Sequence, residues 1–262
     1  MTMRTHASLP IISLAVVAVV LACGIDHTLA WAGASEAEGS YGLINLSKVG
    51  VTRRNCWLYL PKGYDKAKVY PLVVVLHPAG LLGHRFATVW GGVADTTGDF
   101  VVLAPECRDT KKRMWKFADE GELIATIKLV VGKYNIDPTR ILLTGFSQGG
   151  VYSYTFGLRN PSLFRAAAVV SGALVARPSP AADKILAGAR GVPFYIVHGL
   201  LDARIPVQRA RASRDRLEKV GYRVTYREIP HLGHFYPTGE SDRIWAWFKA
   251  LTTAAKPASE KK

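Results

Sequence analysis

Residues 141–150 read Ile141-Leu142-Leu143-Thr144-Gly145-Phe146-Ser147-Gln148-Gly149-Gly150. A short apolar run, Ile141–Leu143, passes into Gly-x-Ser-x-Gly, and a helical stretch follows. A strand that turns this tightly into a helix crowds the positions two before and two after the Ser against neighbouring backbone. Gly145 and Gly149 stand at those positions. The turn lifts the Ser147 hydroxyl clear of the strand and aims the next helix's N-terminus at it.

Working outward, the chain supplies matching strands. Leu72–Leu76 and Phe100–Ala104 are continuously apolar, as strands buried on both faces must be. Ala166–Val170 and Phe194–Val197 repeat the pattern, and Cys56–Leu60 is a further strand stopped by Pro61. Val224–Ile229 is more polar and belongs near a sheet edge. Helices separate these strands. In Glu122–Tyr134, the residues Leu123, Ile127, Val130 and Tyr134 share one face. Pro206–Val220 ends at Gly221, and Ser241–Leu251 turns Ile244, Trp247 and Phe248 inward. Buried strands alternating with helices predict an α/β fold, with a mainly parallel sheet covered on both faces. Such sheets carry their chemistry beyond the C-terminal ends of the strands.

A Ser hydroxyl is a poor nucleophile until a base takes its proton, and His suits that role. Of seven His, His77 and His198 each directly follow a strand and are expected to brace loops, while His84 belongs to a loop. His231 and His234 both follow the Val224–Ile229 strand; His234, beside Gly233, is preferred, with His231 as its competitor. The carboxylate that holds the base in its tautomer is assigned to Asp202, just beyond the Phe194–Val197 strand. Asp215, on a charged helix face, competes weakly.

The composition bounds the setting. The chain has 262 residues, 49% of them hydrophobic and 21% charged, which suits one large core. No repeat is visible. Residues 1–32 hold a basic start, an apolar run from Leu9 to Ala22 and small residues at Ala30 and Ala32, which predicts a signal peptide cleaved after Ala32. An uncleaved anchor and lipidation at Cys23 are the alternatives. The mature protein is then periplasmic or secreted, without an integral membrane span. Residues 33–254 form the folded domain, and 255–262 a frayed basic tail. Net charge is +14, and the mature chain keeps it because Arg4 and Asp26 cancel. That field favours anionic surfaces, such as acidic lipids, cell-wall polymers or acidic polysaccharides. The cations are scattered and no nucleic-acid motif appears, so nucleic acid is not an expected partner.

Residues from about 51 to 250 resemble the α/β-hydrolase superfamily, on Val73 to Gly80, Gly145 to Gly150, His198 to Pro206 and Gly233-His234. Within it they resemble the feruloyl esterase and polyhydroxybutyrate depolymerase group and the carboxylesterase/phospholipase family. The resemblance implies an α/β-hydrolase fold, with a Ser147–Asp202–His234 triad in the chain order usual for that fold. It implies ester hydrolysis without cofactor or metal. Prolyl-oligopeptidase-like peptidases carry similar motifs, and a binding protein that lost turnover is a further alternative. The family commonly has His-Gly where this chain has His77-Pro78, and proline has no N–H to donate. The resemblance therefore assigns the oxyanion hole to the N–H groups of Gln148 and Ala79, with Gly80 the lesser choice. It also implies that the Cys56 strand runs antiparallel beside Phe100–Ala104, which brings Cys56 near Cys107 and makes a disulfide between them a candidate, two separate thiols being the alternative. The segment between the Ala166–Val170 and Phe194–Val197 strands is too short for a large cap, which suggests an open cleft for bulky or polymer-attached esters. Trp115, Phe117 and Phe235 follow strand ends and are candidates to line it, with ordinary packing the alternative for each.

Overall fold

The structure, a computed structural model, describes residues 42–48, 50–174, 180–188 and 191–253. The expectations for the export segment, Cys23 and the C-terminal tail lie outside these residues. Eight strands form one sheet: β1 (Gly42–Asn45), β2 (Cys56–Leu60), β3 (Tyr70–Leu76), β4 (Val101–Pro105), β5 (Ile136–Phe146), β6 (Ala166–Val170), β7 (Phe194–Gly199) and β8 (Val224–Ile229). Their spatial order is β1-β2-β4-β3-β5-β6-β7-β8. β1 pairs β2 and β2 pairs β4 antiparallel; every pairing from β4 through β3 to β8 is parallel. Among the described residues six α-helices connect or follow the strands: α1 (Gly83–Thr97), α2 (Glu120–Lys133), α3 (Gln148–Arg159), α4 (Pro180–Gly188), α5 (Val207–Lys219) and α6 (Glu240–Thr253).

The continuous apolar runs have a direct cause. Along β3, Leu72, Val74 and Leu76 enter one core cluster, with Leu123 and Ile127 of α2 and Leu217 of α5. Val73 and Val75 point the other way, into a second cluster with Phe86 and Trp90 of α1 and Ile244 and Phe248 of α6. Successive side chains alternate between faces, so a strand covered on both sides is apolar along most of its length; Thr144 in β5 and His198 in β7 are buried polar exceptions near strand ends. β8 is fully buried at no position and lies at the sheet edge, as its polar sequence implies.

Three elements carry little signal in the sequence. β1 is a four-residue edge strand. α1 holds Gly91 and Gly92 mid-helix, which lowers its propensity, yet Phe86, Trp90 and Val93 keep helical spacing. His84 therefore lies in a helix rather than a loop. α4 occupies the segment between β6 and β7, where the described residues hold this nine-residue helix and no larger insertion. β5 also begins earlier than its apolar run, at Ile136. Its register against β3 shifts between Ile136 and Ile141, where Pro138 has no N–H for the ladder.

Phe194 shows how tightly the sheet binds its helices. It is fully buried, stacked on Tyr154 of α3 at 5.6 Å and edge-on to Tyr222 at 5.6 Å. Phe194→Ala is expected to lower the unfolding free energy by about 3–5 kcal/mol, through lost contact plus a cavity the parallel strands cannot close. Urea unfolding should show this as a lower midpoint at unchanged slope.

Candidate active site

Ser147 joins β5 to α3 with φ 54° and ψ −118°, in the left-handed half of backbone space. A residue with a Cβ is strained there by roughly 1–3 kcal/mol and stays only where its surroundings fix it. They do: Ser147 N–H donates to the Val170 carbonyl of β6 at 2.9 Å, and Val151 N–H to the Ser147 carbonyl at 2.9 Å. The flanking glycines answer to sterics. A Cβ on Gly145 would lie 2.5 Å from the Gly149 carbonyl oxygen, and one on Gly149 would overlap the Leu76 carbonyl oxygen at the end of β3. The start of α3 is thereby pressed against the β3 terminus.

His234 reaches this turn from the loop after β8. Its Nε2 lies 2.7 Å from Ser147 Oγ, and its Nδ1 lies 2.7 Å from Asp202 Oδ2. For Nε2 to accept the serine proton, Nδ1 must carry the ring proton and donate it to Asp202. The Phe146 ring stacks on the imidazole at 5.2 Å. Asp202 is buried, at 4% exposure. Its Oδ1 accepts the N–H groups of Arg204 and Ile205 at 2.9 and 2.8 Å. Its Oδ2 also lies 3.2 Å from His198 Nε2, which bonds the Ile205 carbonyl at 2.6 Å. His198, at the end of β7 rather than beyond it, thus braces the Asp202 loop as expected. The Asp and His loops are stitched together by Leu201 N–H to the Leu232 carbonyl at 2.9 Å. That approach requires Gly199, where a Cβ would overlap the Leu232 carbonyl oxygen. His231 is exposed at φ 60° and accepts no hydrogen bond from the described residues. Asp215 pairs with Arg214 on α5.

Two N–H groups near the turn are unused. Neither Ala79 nor Gln148 donates its backbone N–H to any described residue. Gly80 N–H is engaged with the Lys112 carbonyl at 3.2 Å, which leaves Ala79 as the unengaged donor of this loop. Behind them stands Trp115. It was a candidate to line the cleft, but it is buried, because both of its polar faces are bound inward. Its Nε1–H donates to the His77 carbonyl at 2.9 Å. Its backbone N–H donates to Gln148 Oε1, and its carbonyl accepts Gln148 Nε2–H, both at 2.9 Å. His77 packs on the Trp115 ring at 4.8 Å and bonds the Pro78 carbonyl through Nδ1 at 2.9 Å. Cys107 N–H donates to His77 Nε2 at 3.2 Å. Burial pushes the imidazole pKa of His77 down, so it braces as a neutral ring. The clamp by the Gln148 side chain has no signal in the sequence, whereas Gly199 at a strand end offered one.

Phe117 and Phe235 are 66% and 67% exposed. Phe117 carries the Arg159 guanidinium 4.5 Å above its ring, and Phe235 directly follows His234. Cys56 sits opposite Pro105 in the antiparallel register expected, two residues from Cys107. The structure does not join the two: both are free, buried thiols, and Cys107 Sγ turns to the Asp109 carbonyl at 3.6 Å. Among the described residues no cluster of three or more His, Cys, Asp or Glu is placed to hold a metal, and no helix is long and apolar enough to cross a membrane.

The sequence model of the phospholipase/carboxylesterase family matches residues 98–251. Feruloyl esterase C of Emericella nidulans is 27% identical over 165 residues, covering 60% of this chain and 58% of its own length. A protein of the same organism named "Probable dipeptidyl-peptidase 5" is 24% identical over 234 residues, covering 73% of this chain and 32% of its own. The chain thus spans less than two thirds of the length of these curated relatives. Among solved structures, a ferulic acid esterase of Anaeromyces mucronatus superposes with a TM-score of 0.64 at 18% identity, over 78% of this chain and 86% of that one. That likeness is one of fold.

The two thiols make a chemical prediction. Burial raises both above the ordinary thiol value, Cys107 to about 11. A thiol reagent acting on native protein should label Cys107 slowly at neutral pH and faster as pH rises toward 11, because only the thiolate reacts. Denaturation without reductant should expose Cys56 and Cys107 together as titratable thiols, countable by mass after alkylation.

Proposed function

We propose, for a chain that belongs to the phospholipase/carboxylesterase family, that it hydrolyses carboxylic esters through an acyl-enzyme on Ser147. The observation that carries this reading is the continuous relay from Ser147 Oγ through His234 to Asp202, with both hydrogen bonds at 2.7 Å. Ser147 Oγ bonds the ester carbonyl carbon as its proton passes to His234 Nε2. Asp202 holds the Nδ1–H and stabilises the imidazolium that forms. The carbonyl oxygen becomes an oxyanion between the N–H groups of Gln148 and Ala79, which need not abandon another partner to bind it. As the tetrahedral adduct collapses, His234 returns its proton to the departing alcohol. Water then repeats the sequence with His234 as base, releasing the acid and Ser147.

The exposed aromatics Phe117 and Phe235, and the short α4 in the segment where these folds often carry a lid, support bulky or polymer-attached esters as substrates. The reading of residues 1–32 supports action outside the cytoplasm. The match to a dipeptidyl-peptidase over 73% of the chain favours peptide cleavage as the second reading, since the same relay serves amides. A panel of short-acyl, long-acyl, feruloyl and hydroxybutyrate esters beside dipeptide amides separates them. Ester turnover without peptide turnover is expected; the reverse would exchange the two readings.

Ser147→Ala and His234→Ala should each lower kcat on the order of a thousandfold or more, since triad members act as a unit, and Asp202→Ala somewhat less. Fluorophosphonate labelling of the parent protein, absent in Ser147→Ala, checks the nucleophile independently of substrate choice. Gln148→Ala keeps the backbone N–H but frees the Trp115 peptide, leaving buried polar groups unpaired. It is expected to lower kcat about tenfold with KM little changed, as a misaligned donor fails in the transition state rather than in binding.

A further inference from the structure

A groove of about 740 Å³ runs between residues 51–54, Arg108 just beyond β4, and the outward side of α2. Its walls hold three guanidinium groups, of Arg53, Arg54 and Arg108, against one carboxylate, Glu122. Arg54 is paired with Glu122, Nε to Oε2 at 2.7 Å. Arg53 and Arg108 form no ion pair with the described residues. Arg108 is nonetheless fixed at its backbone, where its N–H donates to Asp119 Oδ1 at 2.7 Å. Two unneutralised cations therefore face a concave wall in a chain of net charge +14, where they repel each other and focus the local field. Lys111 and Lys112, exposed and without an ion-pair partner among the described residues, lie further along the same loop, past Asp109. The groove shares Thr52, Arg54, Glu122 and Thr126 with a smaller recess whose wall includes Trp115, Glu106 and Asp119. Trp115 is the residue clamped by Gln148, so the groove adjoins the reverse side of the brace behind Ser147.

We infer that this groove binds the carboxylates of an acidic polysaccharide, anchoring a polymer whose esters are presented to Ser147. Guanidinium forks match carboxylates in shape and charge. The rest of the wall suits sugar better than phosphodiester: Val51 and Leu129 offer apolar surface to ring C–H faces, and Thr126 a hydroxyl. Glu122, already paired with Arg54, keeps acceptor capacity for sugar hydroxyls. The anchoring role rests on the esterase reading; the binding itself does not.

The experiment is calorimetric titration of the full chain with an oligogalacturonate, compared with Arg53→Gln/Arg108→Gln and with Arg209→Gln/Lys219→Gln, which removes the same charge from α5. The groove variant should lose at least about tenfold in affinity, given the worth of two charge-assisted contacts, and the α5 variant less than about twofold. Both should hydrolyse a neutral short-chain ester at the parental rate. Equal losses in the two variants would reduce the effect to overall charge and overturn the site. So would absence of oligogalacturonate binding by the parent chain, or tighter binding of inorganic polyphosphate of matched charge. Binding lost only in the groove variant, in a protein with no turnover of any ester, would keep the site and remove the esterase reading.

Discussion

The wedge of α3 against the end of β3 is the constraint on which the site rests. Ser147 occupies a backbone conformation that resists any side chain, and the turn persists because Gly145 and Gly149 allow main chain to touch main chain. That contact sets the Gln148 N–H beside the loop that carries Ala79. It also fixes the direction of the Ser147 hydroxyl, toward which the His234 loop must reach across β6 and β7. A larger residue at either glycine would push the Gln148 N–H away from the loop that carries Ala79 before any side chain of the Ser147–His234–Asp202 relay was altered.

The electrostatic design follows from that placement. Asp202 is buried, yet its two oxygens receive two backbone N–H groups and two imidazole contacts. A buried carboxylate without such partners would be costly, and here the loop itself supplies the donors that water would otherwise supply. The imidazole of His234 is held between this fixed anion and a hydroxyl, with Phe146 against its face. Asp202 and His234 come from loops that leave adjacent parallel strands, β7 and β8, so one sheet twist sets the separation between carboxylate and imidazole.

Much of this was legible in the residues. Ser147 directly follows β5, Asp202 and His234 lie in the loops after β7 and β8, and strands buried on both faces declare themselves by unbroken apolar runs. The preference for His234 over His231 rested on loop position, and it is His234 that the fold places beside Ser147. What was not legible depends on contacts through space. Trp115 looks from its sequence like an exposed aromatic near a strand end. Only the fold shows its backbone taken by the Gln148 side chain, 33 residues on. The first half of β5 was hidden because Asp137, Pro138 and Arg140 read as a turn. Neighbouring β3 supplies the pairing that propensity alone would not. α1 was masked by its paired glycines, although its buried residues keep perfect helical order.

The Gln148–Trp115 pairing has a consequence for how this chain can change over time. The amide of one side chain makes the two hydrogen bonds that a neighbouring strand would make, so residues 114–116 behave as fixed scaffold although they belong to a connection. The exposed tip, Thr110 and Lys111, is held by little beyond the turn on Asp109. The connection is thus divided between a stem that cannot drift without disturbing the Ser147 turn and a tip free to vary. New recognition chemistry can be grafted at the tip while the Ser147–His234–Asp202 relay keeps its geometry.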